Sequence, residues 1–228
     1  MNSELAPLII SIKTSITATL ITFFLGIFIA WFMTSKKKSY EGILDAIFTL
    51  PMVLPPTVVG FFLLLLFGIN GPLGKLLRFL DIRIIFSWSA TVIAAVVVSF
   101  PMMYKTTKSG FEQIDHNILN AARTLGISEW RIFWTITLKL AWPSVAAGTI
   151  LAFARALGEF GATLMIAGSI PGKTQTIPLA IFFAAEAGDM NKAIAWVVTI
   201  SALSFAVIIL TNLWTSYQNK LASTRRYE

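Results

Sequence analysis

Two stretches of this sequence carry residues that could do chemistry at a defined spacing. Ala167 to Thr174 reads AGSIPGKT, a relaxed phosphate-loop pattern of a small residue, four of any type and then Gly-Lys-Thr. Such a loop holds phosphate oxygens on its backbone N–H groups, so the pattern raises the hypothesis that the chain binds ATP. Arg155 and Glu159 stand four residues apart, which places them on one face of a helix, as an ion pair or beside a charged ligand.

Composition narrows the remaining chemistry. The 228 residues include no cysteine, which excludes disulfides and thiolate metal sites. The one histidine, His116, leaves no basis for a His-rich metal site. We therefore predict no catalytic residue, no metal site and no cofactor bound by this chain.

The elements that position these residues are predicted to be membrane helices. Hydrophobic residues make up 56% of the chain and charged residues 13%, with a mean hydropathy of +0.77. A crossing needs about 20 apolar residues. Five spans are predicted, in an all-α integral membrane domain covering 8–216 and followed by a cytoplasmic tail, 217–228: they are 14–35, 46–67, 86–104, 142–166 and 193–217. The apolar stretch 177–187 is too short to cross, and we expect a short helix there that dips into the membrane.

The distribution of basic residues predicts orientation. Lys and Arg concentrate on one side of these spans, which the positive-inside rule makes cytoplasmic. That side holds Lys36, Lys37, Lys38, Lys105, Lys108, Arg123, Arg131, Lys139, Lys220, Arg225 and Arg226. The N-terminus is then outside and the C-terminus cytoplasmic. The net charge of +7 is explained by basic loops beside anionic membrane lipid, and no nucleic-acid partner is predicted.

This layout argues against an ATP site at AGSIPGKT. The stretch falls on the outer side, and an apolar helix precedes it where a phosphate loop requires a strand. The helix that Pro178 could open begins too late to point its N-terminus at the loop. We predict a turn between a span and a short helix, with Lys173 as a solvated lysine or as a positive charge beside an arriving anion.

The longest polar interruption, 105–141, is predicted to form two short cytoplasmic helices. Asp115 or Asn117 can cap the first helix, and Gly126 can end it in the left-handed conformation. Ser128 can begin the second. From the residues alone, this element either lies on the inner leaflet or docks against a partner.

The same stretch resembles the cytoplasmic signature of bacterial ABC importer permeases. That signature reads Glu-Ala-Ala, three residues, Gly, nine residues, then Ile-x-Leu-Pro. The matching positions, including Asn120 where the family has Glu, are Asn120, Ala121, Ala122, Gly126, Ile136 and Leu138. Lys139 replaces the final Pro. In the family this element is a coupling helix that docks into a groove of a separate ATPase subunit.

Further blocks resemble the molybdate subgroup of these permeases. They are LPMVLPPTVVG at 50–60, SFPMMYK at 99–105, LAFARALGEFGATLMI at 151–166 and IPGKTQTIP at 170–178. The resemblance implies the type I ABC importer fold, with the coupling helix between spans three and four, in a bacterial cytoplasmic (inner) membrane. It also implies a homodimer with two ATPase subunits, which bind ATP and Mg, and an external substrate-binding protein. Molybdate is the substrate implied, with tungstate and sulfate as alternatives.

Two alternative roles are open for the intramembrane charged residues, and two for the prolines. Arg155 and Glu159 either line an anion pathway or brace the fold as an ion pair. Pro51, Pro55 and Pro56 produce either a packing kink or a gate. A secondary transporter driven by an ion gradient, or a membrane scaffold, is the alternative from a different functional class.

Overall fold

The computed structural model describes residues 5–35 and 40–224, with residues 210–224 described by their backbone alone. Lys36, Lys37, Lys38, Arg225 and Arg226, which contribute to the predicted orientation, lie outside the described residues. Over the described ranges the regular structure is entirely helical.

The helices follow one another with short connections. They are α1 (Ala6–Thr34), α2 (Glu41–Val53), α3 (Pro56–Phe67), α4 (Pro72–Arg78), α5 (Trp88–Glu112), α6 (His116–Thr124), α7 (Glu129–Ile132), a π-helical turn (Phe133–Thr137), α8 (Leu138–Leu140), α9 (Trp142–Leu157), α10 (Gly161–Ala167), α11 (Ile177–Glu186) and α12 (Met190–Thr224).

Three helices are long and apolar enough to cross a membrane: α1, α5 and α12. Two bent pairs of helices also qualify if each pair is counted as one broken span: α2 with α3, and the segment Glu129–Leu140 with α9. Only α9 of the second pair falls inside the predicted span 142–166, because 129–140 belongs to the predicted coupling segment. The described residues therefore hold three to five candidate spans, in agreement with the prediction of about five.

The core of the first unit, which ends at Thr176, is built from α1, α5 and α9. These helices approach closely because small side chains face one another: Ala18, Ala95 and Ala156 form a buried cluster. A Cβ added at Gly26 would lie 2.6 Å from Cγ of Met103, which leaves no room for a larger residue at this crossing.

The first helix begins before the predicted span. Residue 14 follows the charge of Lys13, but α1 starts at Ala6 and includes that lysine. Lys13 Nζ lies 4.1 Å from the ring centroid of Trp88 in a cation–π contact, and Trp88 Nε1 donates a hydrogen bond of 3.0 Å to Thr14. The aromatic partner accommodates the charge, so the helix continues past it.

The second unit comprises α11 packed against α12. The helix Ile177–Glu186 occupies the predicted short segment, and its 10 residues are about half the length of a crossing. Asp189 caps α12, because its Oδ1 accepts a hydrogen bond of 3.1 Å from the Lys192 N–H.

Candidate functional site

The phosphate-loop-like stretch folds onto itself. The backbone N–H groups of Lys173, Thr174 and Gln175 all point to the carbonyl of Ile170, at 2.9 to 3.2 Å. The Thr174 hydroxyl, fully buried, accepts from the Ile170 N–H at 2.9 Å and donates to the Gly168 carbonyl at 3.2 Å. A phosphate loop needs those amides and that hydroxyl for phosphate and Mg²⁺, so this loop geometry does not suit ATP.

The proline-rich segment breaks its span sharply. Helix α2 ends at Val53 and α3 begins at Pro56, with an angle of 114° between them. Pro55 occupies the N-cap position of α3, and its carbonyl accepts the first hydrogen bonds of that helix, from Val58 and Val59. Pro51 lies inside α2. The break therefore coincides with Pro55 and Pro56.

The predicted span 142–166 is also interrupted. Helix α9 ends at Leu157 and α10 begins at Gly161. Glu159 lies in the gap and is buried, and its Oε1 accepts a hydrogen bond of 2.8 Å from the Ala162 N–H, which caps α10. Arg155 Nη1 lies 2.7 Å from Glu159 Oε2, so the charged pair bridges the break between the helices.

The two breaks meet. A Cβ added at Gly161 would lie 3.1 Å from Cβ of Pro56, so the start of α10 packs on the start of α3. One added at Gly60 would lie 2.7 Å from Cα of Ala162. The structure thus packs the proline segment against the start of α10, two residues after Glu159, although the two regions lie about 100 residues apart in the sequence. Membrane proteins tolerate interrupted helices where the freed backbone groups are buried in protein or meet water, and charged side chains inside the bilayer commonly pair with one another.

The predicted coupling segment forms the helix-turn-helix expected from its residues. Asp115 caps α6 by accepting a hydrogen bond of 2.8 Å from the Asn117 N–H. Gly126 follows with φ +75°, a left-handed conformation that ends the helix at low cost only for glycine. Ala121 is exposed and Ala122 is buried. The first small side chain thus leaves an open surface, while the second packs inward.

Arg123 joins the two short helices of this segment. Its Nε donates to Glu129 Oε1 at 2.6 Å, and its Nη1 donates to Asn120 Oδ1 at 3.0 Å. The hydrogen bond to Glu129 raises the pKa of the Arg123 guanidinium, which is charged in any case. Asn120 stands where the ABC importer permease signature has Glu. Its Oδ1 still gives this arginine a hydrogen-bond acceptor.

Aromatic contacts attach the segment to the core. The ring of Phe133 lies 4.8 Å from that of Trp31 at the end of α1 and 6.2 Å from that of Phe111 on α5. Ile136, in the π-helical turn, and Leu138, in α8, are partly buried. Leu125 is 79% exposed, so a large apolar side chain stands at the tip of the turn.

One polar cluster was not predicted from the sequence. Asp45 on α2 accepts hydrogen bonds from three residues of α5: Tyr104 at 2.7 Å, Lys105 at 2.7 Å and Lys108 at 3.0 Å. Glu41 stands one turn before Asp45. Lys105 and Lys108 follow the predicted third span, 86–104, and the structure extends that helix through them to Glu112, so 105–112 is not part of the predicted loop. That complementary charge at two helix ends is the signal that could have found the cluster.

Comparison with known proteins identifies the relatives of this chain. A molybdenum transport system permease protein of Escherichia coli K12 is 40% identical over 92% of this chain and 93% of its own length. One from Haemophilus influenzae is 36% identical over 93% of each chain. A sulfate transport system permease protein of Escherichia coli K12 is 32% identical, covering 89% of this chain and 73% of its own.

A solved structure shares the fold. It is a bacterial ABC transporter involved in the import of the acidic polysaccharide alginate, and it superposes with a TM-score of 0.77 over 95% of this chain and 80% of that chain, at 12% identity. The type I ABC importer permease fold predicted from the sequence is therefore the fold of this chain. Residues 22–220 match the family model described as the binding-protein-dependent transport system inner membrane component. The chain belongs to that family of multi-pass inner-membrane transport subunits.

Proposed function

We propose that this chain imports molybdate, as a homodimer with two ATPase subunits and an external binding protein. The observation that carries the substrate is similarity to molybdenum permeases over more than nine-tenths of both chains. Sulfate is the second candidate, because a sulfate permease is 32% identical. Tungstate, a tetrahedral dianion like both, is a third.

In this proposal ATP acts through a separate subunit. The coupling segment offers that subunit a small exposed side chain at Ala121 and a projecting apolar side chain at Leu125, which suit insertion into a groove. The AGSIPGKT loop uses its own amides internally, which supports ATP binding elsewhere. ATP binding drives transport only if the ATPase holds one state of the permease more tightly than the other.

In this proposal the broken helices α2–α3 and α9–α10 supply polar groups to the interior of the membrane domain. Arg155 and Glu159 neutralise each other at the α9–α10 gap, so we assign them a bracing role. The prolines break the span between α2 and α3, and Pro56 packs against the start of α10. We place the coupling segment and the C-terminus in the cytoplasm, on the side with the greater number of lysines and arginines.

Replacing Gly126 by valine tests coupling. The left-handed φ of +75° strains any β-branched residue, although no atom lies within 4 Å of the added Cβ. We expect Gly126→Val to lower molybdate uptake per ATP hydrolysed by about tenfold, within the usual range of coupling free energies. Uptake and hydrolysis are measured with the complete complex in proteoliposomes.

Gly172→Val is the matched control. Gly172 has φ +73° and equally open surroundings, but it lies in the AGSIPGKT loop. Equal loss of coupling in both variants would contradict the role of the coupling segment. Running the same assay with molybdate, tungstate and sulfate identifies the substrate as the anion that stimulates ATP hydrolysis and is imported.

A further inference from the structure

The Asp45 cluster joins two helices that have different tasks in the proposed cycle. Lys108 lies two turns before Asp115, the cap of the coupling helix α6, on a helix that runs without interruption to Glu112. Asp45 lies on α2, which leads within about three turns to the break at Pro55. The cluster is therefore the polar contact between the coupling side of α5 and the broken pair α2–α3.

Helix α2 has little apolar packing to hold it. None of its 13 residues is buried. Its aromatic contact with α5 is made by Phe48, whose ring lies 5.4 Å from Tyr104 and 5.9 Å from Phe100. Leu44 and Phe48 pack on the core but are only partly buried. Since lipid is as apolar as the helix surface, apolar contact adds little drive for this packing, and the ionic contacts of Asp45 are a main polar constraint on α2 against α5.

Within the cluster, the two lysines are not equivalent. The side chain of Lys108 is 12% exposed and lies among three carboxylates: Asp45 at 3.0 Å, Glu41 at 3.4 Å and Glu112 at 3.6 Å. The side chain of Lys105 is 49% exposed and, among the carboxylates of the described residues, contacts Asp45 alone, at 2.7 Å. Because screening by water weakens exposed pairs, we expect Lys108 to contribute more to the Asp45 cluster than Lys105.

We propose that Asp45 is a positioning residue for transport: through Lys108 and Lys105 it transmits movement of α5 and α6 to the broken helices α2 and α3. The inference rests on the proposed function for its driving force, since the ATPase supplies the movement. It does not depend on which anion is carried.

The first test measures uptake per ATP hydrolysed in the complete complex, for Asp45→Asn and for Asp81→Asn as a matched control. Asp81 lies between α4 and α5, is exposed, and has a φ of 54° that asparagine tolerates. We expect Asp45→Asn to lower uptake per ATP hydrolysed by about tenfold and Asp81→Asn to leave it unchanged. Asp45→Glu, which keeps the carboxylate, should retain most of it. Lys108→Met should lower the ratio more than Lys105→Met.

A second measurement works without any substrate. Because the chain has no cysteine, Val53→Cys, at an 82% exposed position beside the break, places one thiol per copy of this chain at the end of α2. Its labelling rate with a maleimide should change when ATP and vanadate trap the ATPase, and this change should vanish when Asp45→Asn is added.

The outcomes are distinct. A nucleotide-dependent labelling change that survives Asp45→Asn would overturn the positioning role. So would an uptake loss in Asp45→Asn that is fully matched by loss of hydrolysis and of folded protein, because that pattern indicates structural damage alone. If the unsubstituted complex hydrolyses ATP but imports no molybdate, the substrate proposal fails while the labelling still decides the role of Asp45.

Discussion

The two helix breaks that meet in this protein have different physical causes. The α2–α3 break is made by Pro55 and Pro56, whose rings fix φ and remove backbone donors, so it needs no side-chain partner. The α9–α10 break contains no proline, and Glu159 sustains it by capping α10 and pairing with Arg155. A break that proline imposes on the backbone does not depend on neighbouring side chains. A break held by charged side chains requires both partners. The second is therefore the one that a single substitution can loosen.

Removing Glu159 should have the largest effect. Glu159→Ala deletes the cap of α10 and leaves Arg155 without its partner in a largely buried setting. Breaking a buried pair this way costs about 3–5 kcal/mol of stability. The expected result is a large fall in the denaturation midpoint of the detergent-solubilised protein. Glu159→Gln keeps an acceptor for the Ala162 N–H and should lose less; equal losses would show that the cap has no part in the break.

Arg155→Gln separates the bracing role from a pathway role at the same break. Glutamine can still donate a hydrogen bond to Glu159, so we expect a stability loss smaller than that of Glu159→Ala, about 1–3 kcal/mol. Uptake per folded complex should survive if the pair only braces the fold. Abolished uptake in a complex that still accumulates and hydrolyses ATP would instead place Arg155 on the anion pathway.

The difference between the breaks also explains what the sequence could predict. Proline restricts its own backbone, so Pro51, Pro55 and Pro56 mark a break without any knowledge of neighbours. Glu159 gives no such local signal: its spacing from Arg155 is typical of a continuous helix, and the capping contact appears only when α9 has already ended. The same logic separates Gly126, whose left-handed turn follows from its position after α6, from Asp45, whose partners lie 59 to 63 residues away.

A smaller effect is expected where the breaks pack together. A Cβ at Gly60 would meet Ala162 Cα and Met165 Cβ, both at 2.7 Å, and backbone cannot move aside as a flexible side chain does. Gly60→Ala should therefore destabilise the protein by about 1–3 kcal/mol. Gly42→Ala is the matched control, because no atom lies within 4 Å of its added Cβ on α2. If the two variants unfold at the same midpoint, the close contact of α3 with α10 is not present.

The smallest effect is predicted for the lysine of the phosphate-loop-like stretch. Lys173 is exposed, and only its backbone N–H takes part in the loop, through the Ile170 carbonyl. Lys173→Ala should leave stability within about 0.5 kcal/mol and leave ATP-driven uptake unchanged. Thr174→Ala, which removes two loop hydrogen bonds, should cost more, about 1–3 kcal/mol. In a genuine phosphate loop Lys173→Ala would abolish ATP-driven uptake, since the lysine would hold the phosphates of ATP. Loss of ATP-driven uptake in Lys173→Ala alone would therefore reopen the nucleotide hypothesis. A weaker apparent affinity for molybdate with an unchanged maximal rate would instead assign the lysine to the arriving anion.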